Sequence, residues 1–189
     1  MKAVGNCCGY RPGSPVRAFC FVLLLLLVSG CAGRETRYAY VDSVASRSAE
    51  GMYRYVLLAR PPGYGSADEA PAYTRKRHEK FVGLAHQVLQ QAGYQRMESA
   101  DDAELVIAFD YRVEVTMIQV RSERTSTVEL VAFDWIAVRD SDERNAIWRT
   151  YAHMDGSSGG LGRVVPELLE ALGPHVGQST GGAVEIVLD

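Results

Sequence analysis

Cysteine is missing where a folded domain would use it. All four cysteines, Cys7, Cys8, Cys20 and Cys31, fall within the first 31 of 189 residues. The chain beyond Cys31 therefore has no disulfide and no thiolate for metal or catalysis, and its own apolar core must hold it. Acidic residues are absent from the first thirty positions, which carry Lys2, Arg11 and Arg17. The remainder sets 17 basic residues against 23 acidic ones, a net charge of −6. A body of that sign repels phosphate backbones, which argues against nucleic-acid binding. Long apolar runs are absent too. The longest, Ala18 to Val28, has eleven residues, whereas a membrane-crossing helix needs about 20. No internal repeat and no Gly-Lys-Ser/Thr phosphate loop occurs.

What the N-terminus does have is ordered in one direction. A basic stretch ends at Arg17, the apolar run follows, then Ser29, Gly30 and Cys31. That length and polarity are those of an export signal, 1–30. The junction Val28-Ser29-Gly30-Cys31 resembles the lipobox of bacterial lipoproteins. The resemblance implies thioether attachment of diacylglycerol to the Cys31 sulfur, cleavage before Cys31 and acylation, such as palmitate, of the freed amine. Two or three chains anchor firmly where one is marginal, at about 0.8 kcal/mol per buried methylene. Ala32 in place of aspartate implies, for a Gram-negative host, the periplasmic face of the outer membrane. An ordinary secretory leader and a short uncut anchor are the competing readings.

Residues 31–50 read mainly as the lipidated Cys31 and a polar tether, although Tyr38, Tyr40 and Val41 suit a short strand. Residues 51–189 read as one domain. Tyr53–Ala59 is aromatic and aliphatic and ends at Pro61-Pro62-Gly63, as a strand would. From Thr74 to Ala92, Phe81, Leu84, Ala85, Val88, Leu89 and Ala92 recur at helical spacing, and Gly93 suits the residue after the helix. Leu105 to about Val120 alternates strictly and predicts a half-buried strand. Turns at Arg121–Ser126 and Asp140–Asn145 separate it from strands at about Thr127–Val138 and Ala146–Met154. Val164, Val165, Leu168, Leu169 and Leu172 mark a second helix, with Pro166 tolerable only near its first turn. Ala183–Leu188 predicts a last strand. The order implies an α+β domain, an antiparallel sheet of about four to five strands with two helices packed on one face.

Val88-Leu89-Gln90-Gln91-Ala92-Gly93-Tyr94, Ala103-Glu104-Leu105-Val106-Ile107 and Ile147-Trp148-Arg149-Thr150-Tyr151-Ala152 resemble passages of a family of envelope lipoproteins grouped only as a domain of unknown function. The resemblance covers roughly residues 53–172. The family has no established activity, so it implies fold and location and no catalytic residue.

Candidate chemistry is sparse. Gly156-Ser157-Ser158-Gly159-Gly160 fits a nucleophile-elbow pattern with Ser158 as nucleophile, but only Glu167, Glu170 and His175 follow to complete a triad. A Gly/Ser linker explains it as well, and free amides at the helix start suit an anion. His78, His86, His153 and His175 show no i, i+4 pair, so no metal site is expected; His78 and His86 are expected on a solvated helix face. Asp134 interrupts an apolar strand as a functional carboxylate or as a partner for Arg112 or Arg149. Trp148 and Tyr151 suit core packing better than a ligand surface. Arg75-Lys76-Arg77 with Lys80 make either a solvated face or a contact for anionic headgroups near the anchor. No catalytic set, cofactor or metal is expected. The reading is a membrane-anchored envelope lipoprotein with a non-enzymatic protein-binding or assembly role, docking through the Arg121–Ser126 hairpin or the Ala183–Leu188 edge. The alternative is a carrier of lipid or small molecules.

Overall fold

Alternation in the sequence becomes register in the structure. The computed structural model describes residues 36–46, 50–118, 121–141, 145–156 and 160–188. The export signal, Cys31 and Ser158 lie outside the described residues. The strands are β1 (Arg37–Ala45), β2 (Arg54–Ala59), β3 (Gln95–Arg96), β4 (Leu105–Ile118), β5 (Arg121–Asp134), β6 (Ala146–Asp155) and β7 (Val184–Leu188). The helices are α1 (Ala72–Gln91), α2 (Trp135–Ser141) and α3 (Leu161–Leu172). The domain is α+β, as the pattern predicts. Its sheet is larger than expected and mixed, with seven strands in the order β3-β2-β4-β5-β6-β1-β7. The middle strands form the expected antiparallel meander, but Arg121–Ser126, expected as a turn, is the first part of β5. β2 instead runs parallel to both β3 and β4, because a helix-length crossover returns the chain in the same direction.

The largest departure is at the start. Residues assigned to the tether form β1, nine residues long and hydrogen-bonded between β6 and β7. Its core face is Ala39, Val41 and Ser43, all essentially buried. The Ser43 hydroxyl is satisfied at 2.7 Å by the Thr150 hydroxyl and donates at 2.9 Å to the His175 carbonyl. A polar residue is cheap to bury when paired in this way. The folded unit accordingly begins at Thr36.

The second departure is at Trp135–Val138, read as strand and found as α2. Asp134 ends β5 and accepts hydrogen bonds from the Ile136 and Ala137 amides at 2.9 and 3.1 Å. These are the orphan donors of a helix start, so Asp134 is a cap. Pro166 lies inside α3, a turn deeper than expected. It removes the bond to the carbonyl four residues back, and burial of Val164, Val165, Leu168, Leu169 and Leu172 outweighs the loss. Each such side chain contributes about 1.5–3 kcal/mol when fully buried.

α1 buries Phe81, Ala85, Val88 and Leu89. It ends as predicted, with Gly93 at φ +93° and the Tyr94 amide returning to the Leu89 carbonyl at 2.9 Å. The core joins these residues to Tyr55, Ile107, Tyr111, Leu130 and Trp148 on the sheet. Gly177 closes one end of it. A Cβ there would stand 2.2 Å from the Tyr94 hydroxyl, at φ +69°. Tyr94 cannot move aside easily, because its ring is set against Tyr55 and Trp148. Gly177→Ala is expected to cost about 1–3 kcal/mol, from backbone strain and crowding together. Urea unfolding checks this, and an unchanged midpoint would contradict it.

Candidate functional site

Polar chemistry meets accessible space at several places, and at two of them titratable side chains are paired. The first lies between α1 and the sheet. His78 and His86 are eight residues apart, which returns them to the same face of a helix. That face is the core face and not the solvated one the sequence suggested. The His78 Nδ1 is 3.0 Å from the Tyr111 hydroxyl on β4, and His78 is only 4% exposed. The His86 Nδ1 is 2.8 Å from the Tyr55 hydroxyl on β2. Burial pushes both phenols up to about 12. Burial also lowers both imidazoles; the Ala59 backbone and Glu79 partly offset this at His78, while the Arg96 charge adds to it at His86. At neutral pH these are neutral hydrogen-bonded pairs. Beside the second opens a cavity of about 400 Å³, lined by Tyr55, His86, Gln90, Tyr94, Gln95 and Arg96.

The second place is the β7 side of the sheet. β7 pairs with β1 and is the last strand in the order, so its other edge meets no strand among the described residues. Val187 is 58% exposed. Beside it a cavity of about 260 Å³ is lined by Glu167, Glu170, Ala171, Pro174, Ile186 and Val187, with Leu188. Arg37 donates to Glu167 through both guanidinium nitrogens, at 2.6 and 2.9 Å. Burial alone would lift the Glu167 carboxyl, but hydrogen bonds from Arg37 and Arg163 reverse this and hold it low. The pair ties the first residue of β1 to α3.

The other singled-out residues disperse. His153 stacks on Tyr40 and leans on Tyr151, on the sheet face away from α1. His175 contributes its carbonyl to Ser43. Trp148 is core, as expected, whereas Tyr151 sits on the outer face beneath Arg149. Arg149 pairs with Glu129, and Arg112 with Asp110 and Glu114, so neither serves Asp134. Among the described residues no three of His, Cys, Asp and Glu converge as metal ligands, and no helix is long and apolar enough to cross a membrane. The i, i+8 spacing of two histidines on an apolar helix face was the available signal for the buried pairs.

No protein-family model matches the chain, so the domain-of-unknown-function resemblance finds no counterpart there, and no curated protein matches it. Solved structures similar to it include a PelC dodecamer from Paraburkholderia phytofirmans, 14% identical over 71% of this chain and 93% of that one, with a TM-score of 0.39. A minor lipoprotein from Acinetobacter baumannii is 15% identical over 67% and 93%, at 0.38. A PDZ domain protein from Parabacteroides distasonis is 10% identical over 79% and 39%, at 0.48. At these scores none of them lends this chain a residue role or a partner.

The two histidine–tyrosine pairs, one buried and one half-buried, give a pH signature. Both imidazoles titrate lower in the folded chain than the unfolded value of about 6.5. On acidification the unfolded chain takes up protons first. The stability tied to these groups is therefore complete above that value and is lost as pH falls through the lowered ones. Urea midpoints are expected to drop between pH of about 7 and about 5, and a His78→Gln, His86→Gln double variant is expected to flatten that drop. An identical slope in both proteins would contradict the assignment.

Proposed function

We propose that the chain is an envelope lipoprotein, held by lipid on Cys31, with a non-enzymatic role in binding or assembling a protein partner. One observation carries the binding part of this reading. A five-residue strand, β7, closes the sheet with an edge that no other strand pairs among the described residues, next to a partly apolar cleft formed with α3. An open edge offers main-chain donors and acceptors to an extended segment, and the neighbouring cleft selects its side chains. Anchoring rests on the sequence: charge, apolar length, small residues and cysteine coincide at Val28–Cys31. An outer-membrane location, on the periplasmic face, follows if the host is Gram-negative.

The carrier reading is less supported. It needs an apolar chamber between helices and sheet. That space holds Phe81, Leu89, Leu130, Leu168 and Leu172, all fully buried. The cavity beside His86 presents polar and apolar surface about equally and is no apolar chamber.

A photo-crosslinking residue at Val187 of the full chain, in intact envelopes, is expected to give a discrete protein adduct. The same residue at Leu58, exposed on the outer face of β2, is expected to give none. Cys31→Ser is expected to release the mature chain to the soluble fraction without acyl mass and to abolish the adduct. Recovery of the free chain alone from Val187 would count against docking at this edge. Unchanged sedimentation of the Cys31→Ser chain would count against the anchor.

A further inference from the structure

The sheet is longer than the helices that cover it. On β4 the core-facing series runs Leu105, Ile107, Phe109, Tyr111, Val113, Val115, Met117. The first four are buried, Tyr111 at 1% exposure, and the last three open progressively to 38%, 56% and 75%. Their partners across the ribbon are Ser126, Arg124 and Ser122. The β4–β5 ribbon thus projects beyond the helix layer with an apolar stripe on its inner face. The ribbon's acidic residues Glu114 and Glu123 alternate with this stripe and take the opposite face.

Register shows which end of the domain this is. Tyr40 of β1 pairs with His153 of β6, which pairs with Thr127 of β5, which pairs with Arg112 of β4. Continuing three residues back along β1, Arg37 lies level with Val115. The chain therefore enters the domain at the same pole from which the ribbon projects. Only five residues lie between Cys31 and Arg37, six steps of chain with a reach of roughly 20 Å at full extension. α1 also begins at this pole, because His78 meets Tyr111 whereas His86 meets Tyr55, further from the ribbon tip. Its first turns supply Tyr73, 75% exposed with the Arg77 guanidinium 5.2 Å above its ring, and Arg75 and Lys76. Apolar side chains flanked by an exposed tyrosine and cations are the composition of a surface that rests at the headgroup level of a bilayer. In an otherwise acidic body, net −6 beyond the leader, this places the cations where an anionic surface would meet them.

The geometry points to a membrane-contacting foot: Val113, Val115 and Met117 of the β4–β5 ribbon, with Arg124, Tyr73, Arg75 and Lys76, rest on the bilayer that holds the lipid of Cys31. The inference depends on the lipidation reading. The leash keeps the Arg37 pole within about 20 Å of the anchor, the foot sets the domain upright, and β7 runs beside β1 at the sheet's side. By the same register β7 spans the level from Tyr111 to Val115, so its edge opens sideways at the height of the foot.

The test uses the full mature chain, lipidated on Cys31 and reconstituted into vesicles of phosphatidylethanolamine and phosphatidylglycerol. With the Cys31 sulfur taken by lipid, Met117→Cys and Val44→Cys each provide one free thiol for a fluorophore. Val44 is 63% exposed and lies level with Ala108 of β4, about 30 Å from Met117 along the strand direction at the usual rise per residue. The label at 117 is expected to be quenched several-fold less by aqueous iodide than the label at 44, and to be quenched by nitroxide-bearing lipid. Equal iodide quenching at both sites, on vesicles that retain the chain, would overturn the foot and leave anchoring intact. Shielding of 117 from iodide without quenching by nitroxide lipid would also overturn it, since a second copy or another protein would then cover the stripe. Failure of the unlabelled chain to associate with vesicles would overturn the anchor and the foot together. Thermal unfolding of both cysteine variants should match the parent chain, both sites being exposed.

Discussion

The structure depends on one constraint: β1 is hydrogen-bonded on both sides. It pairs with β6 along one edge and β7 along the other. Where β7 has not yet begun, the Ser179 and Thr180 side chains take over, accepting hydrogen bonds from the Ala45 and Ser43 amides at 2.9 and 3.1 Å. The bidentate Arg37–Glu167 pair then fastens the strand's first residue to α3. A strand held in this way cannot act as a loose leash. With the proposed lipid on Cys31, the distance from lipid to folded body shrinks from the twenty residues the sequence suggested to about six. In the proposed arrangement, orientation at the membrane becomes a property of the fold, because register decides which pole faces the anchor.

The same constraint divides the labour of the sheet. The helix layer covers Tyr55, Ile107, Phe109, Tyr111, Leu130 and Trp148 and joins them in one core. Two tyrosine–histidine pairs cross that interface and are satisfied within it. Beyond Tyr111 the ribbon is uncovered, and at the other side β7 keeps an open edge. Core, foot and edge are thus three regions of one sheet, separated by where the helices stop and where the strands run out.

Much of this was legible in the sequence. The period-2 run from Leu105 and the helical spacing from Phe81 to Leu89 gave their elements nearly to the residue, because large apolar side chains carry those signals. β1 was obscured because its core face is Ala39, Val41 and Ser43. Two of these three are small or polar, and the burial of Ser43 depends on Thr150 and His175, which are distant in sequence. Trp135–Val138 looked like strand because apolar character alone does not distinguish a buried strand from a short helix; the cap at Asp134 was the deciding mark. The histidines look solvated because the imidazole is polar, but their i, i+8 spacing puts them on the apolar face of α1 toward Tyr111 and Tyr55. The parallel pairing of β2 needed the third dimension, since β2 and β4 are joined through α1 and only the register sets them side by side. The open edge was anticipated at Ala183–Leu188, but its neighbour, a strand within the supposed tether, was not.

The most direct measurement is amide hydrogen exchange across Arg37–Ala45 in the mature chain. If β1 is built into the sheet, its central amides, from Ala39 to Ser43, will exchange as slowly as those of β6 from Trp148 to Ala152. Exchange of the β1 amides at the rate of an unstructured peptide, with β6 still protected, would return these residues to a tether and remove the short leash on which the membrane orientation rests.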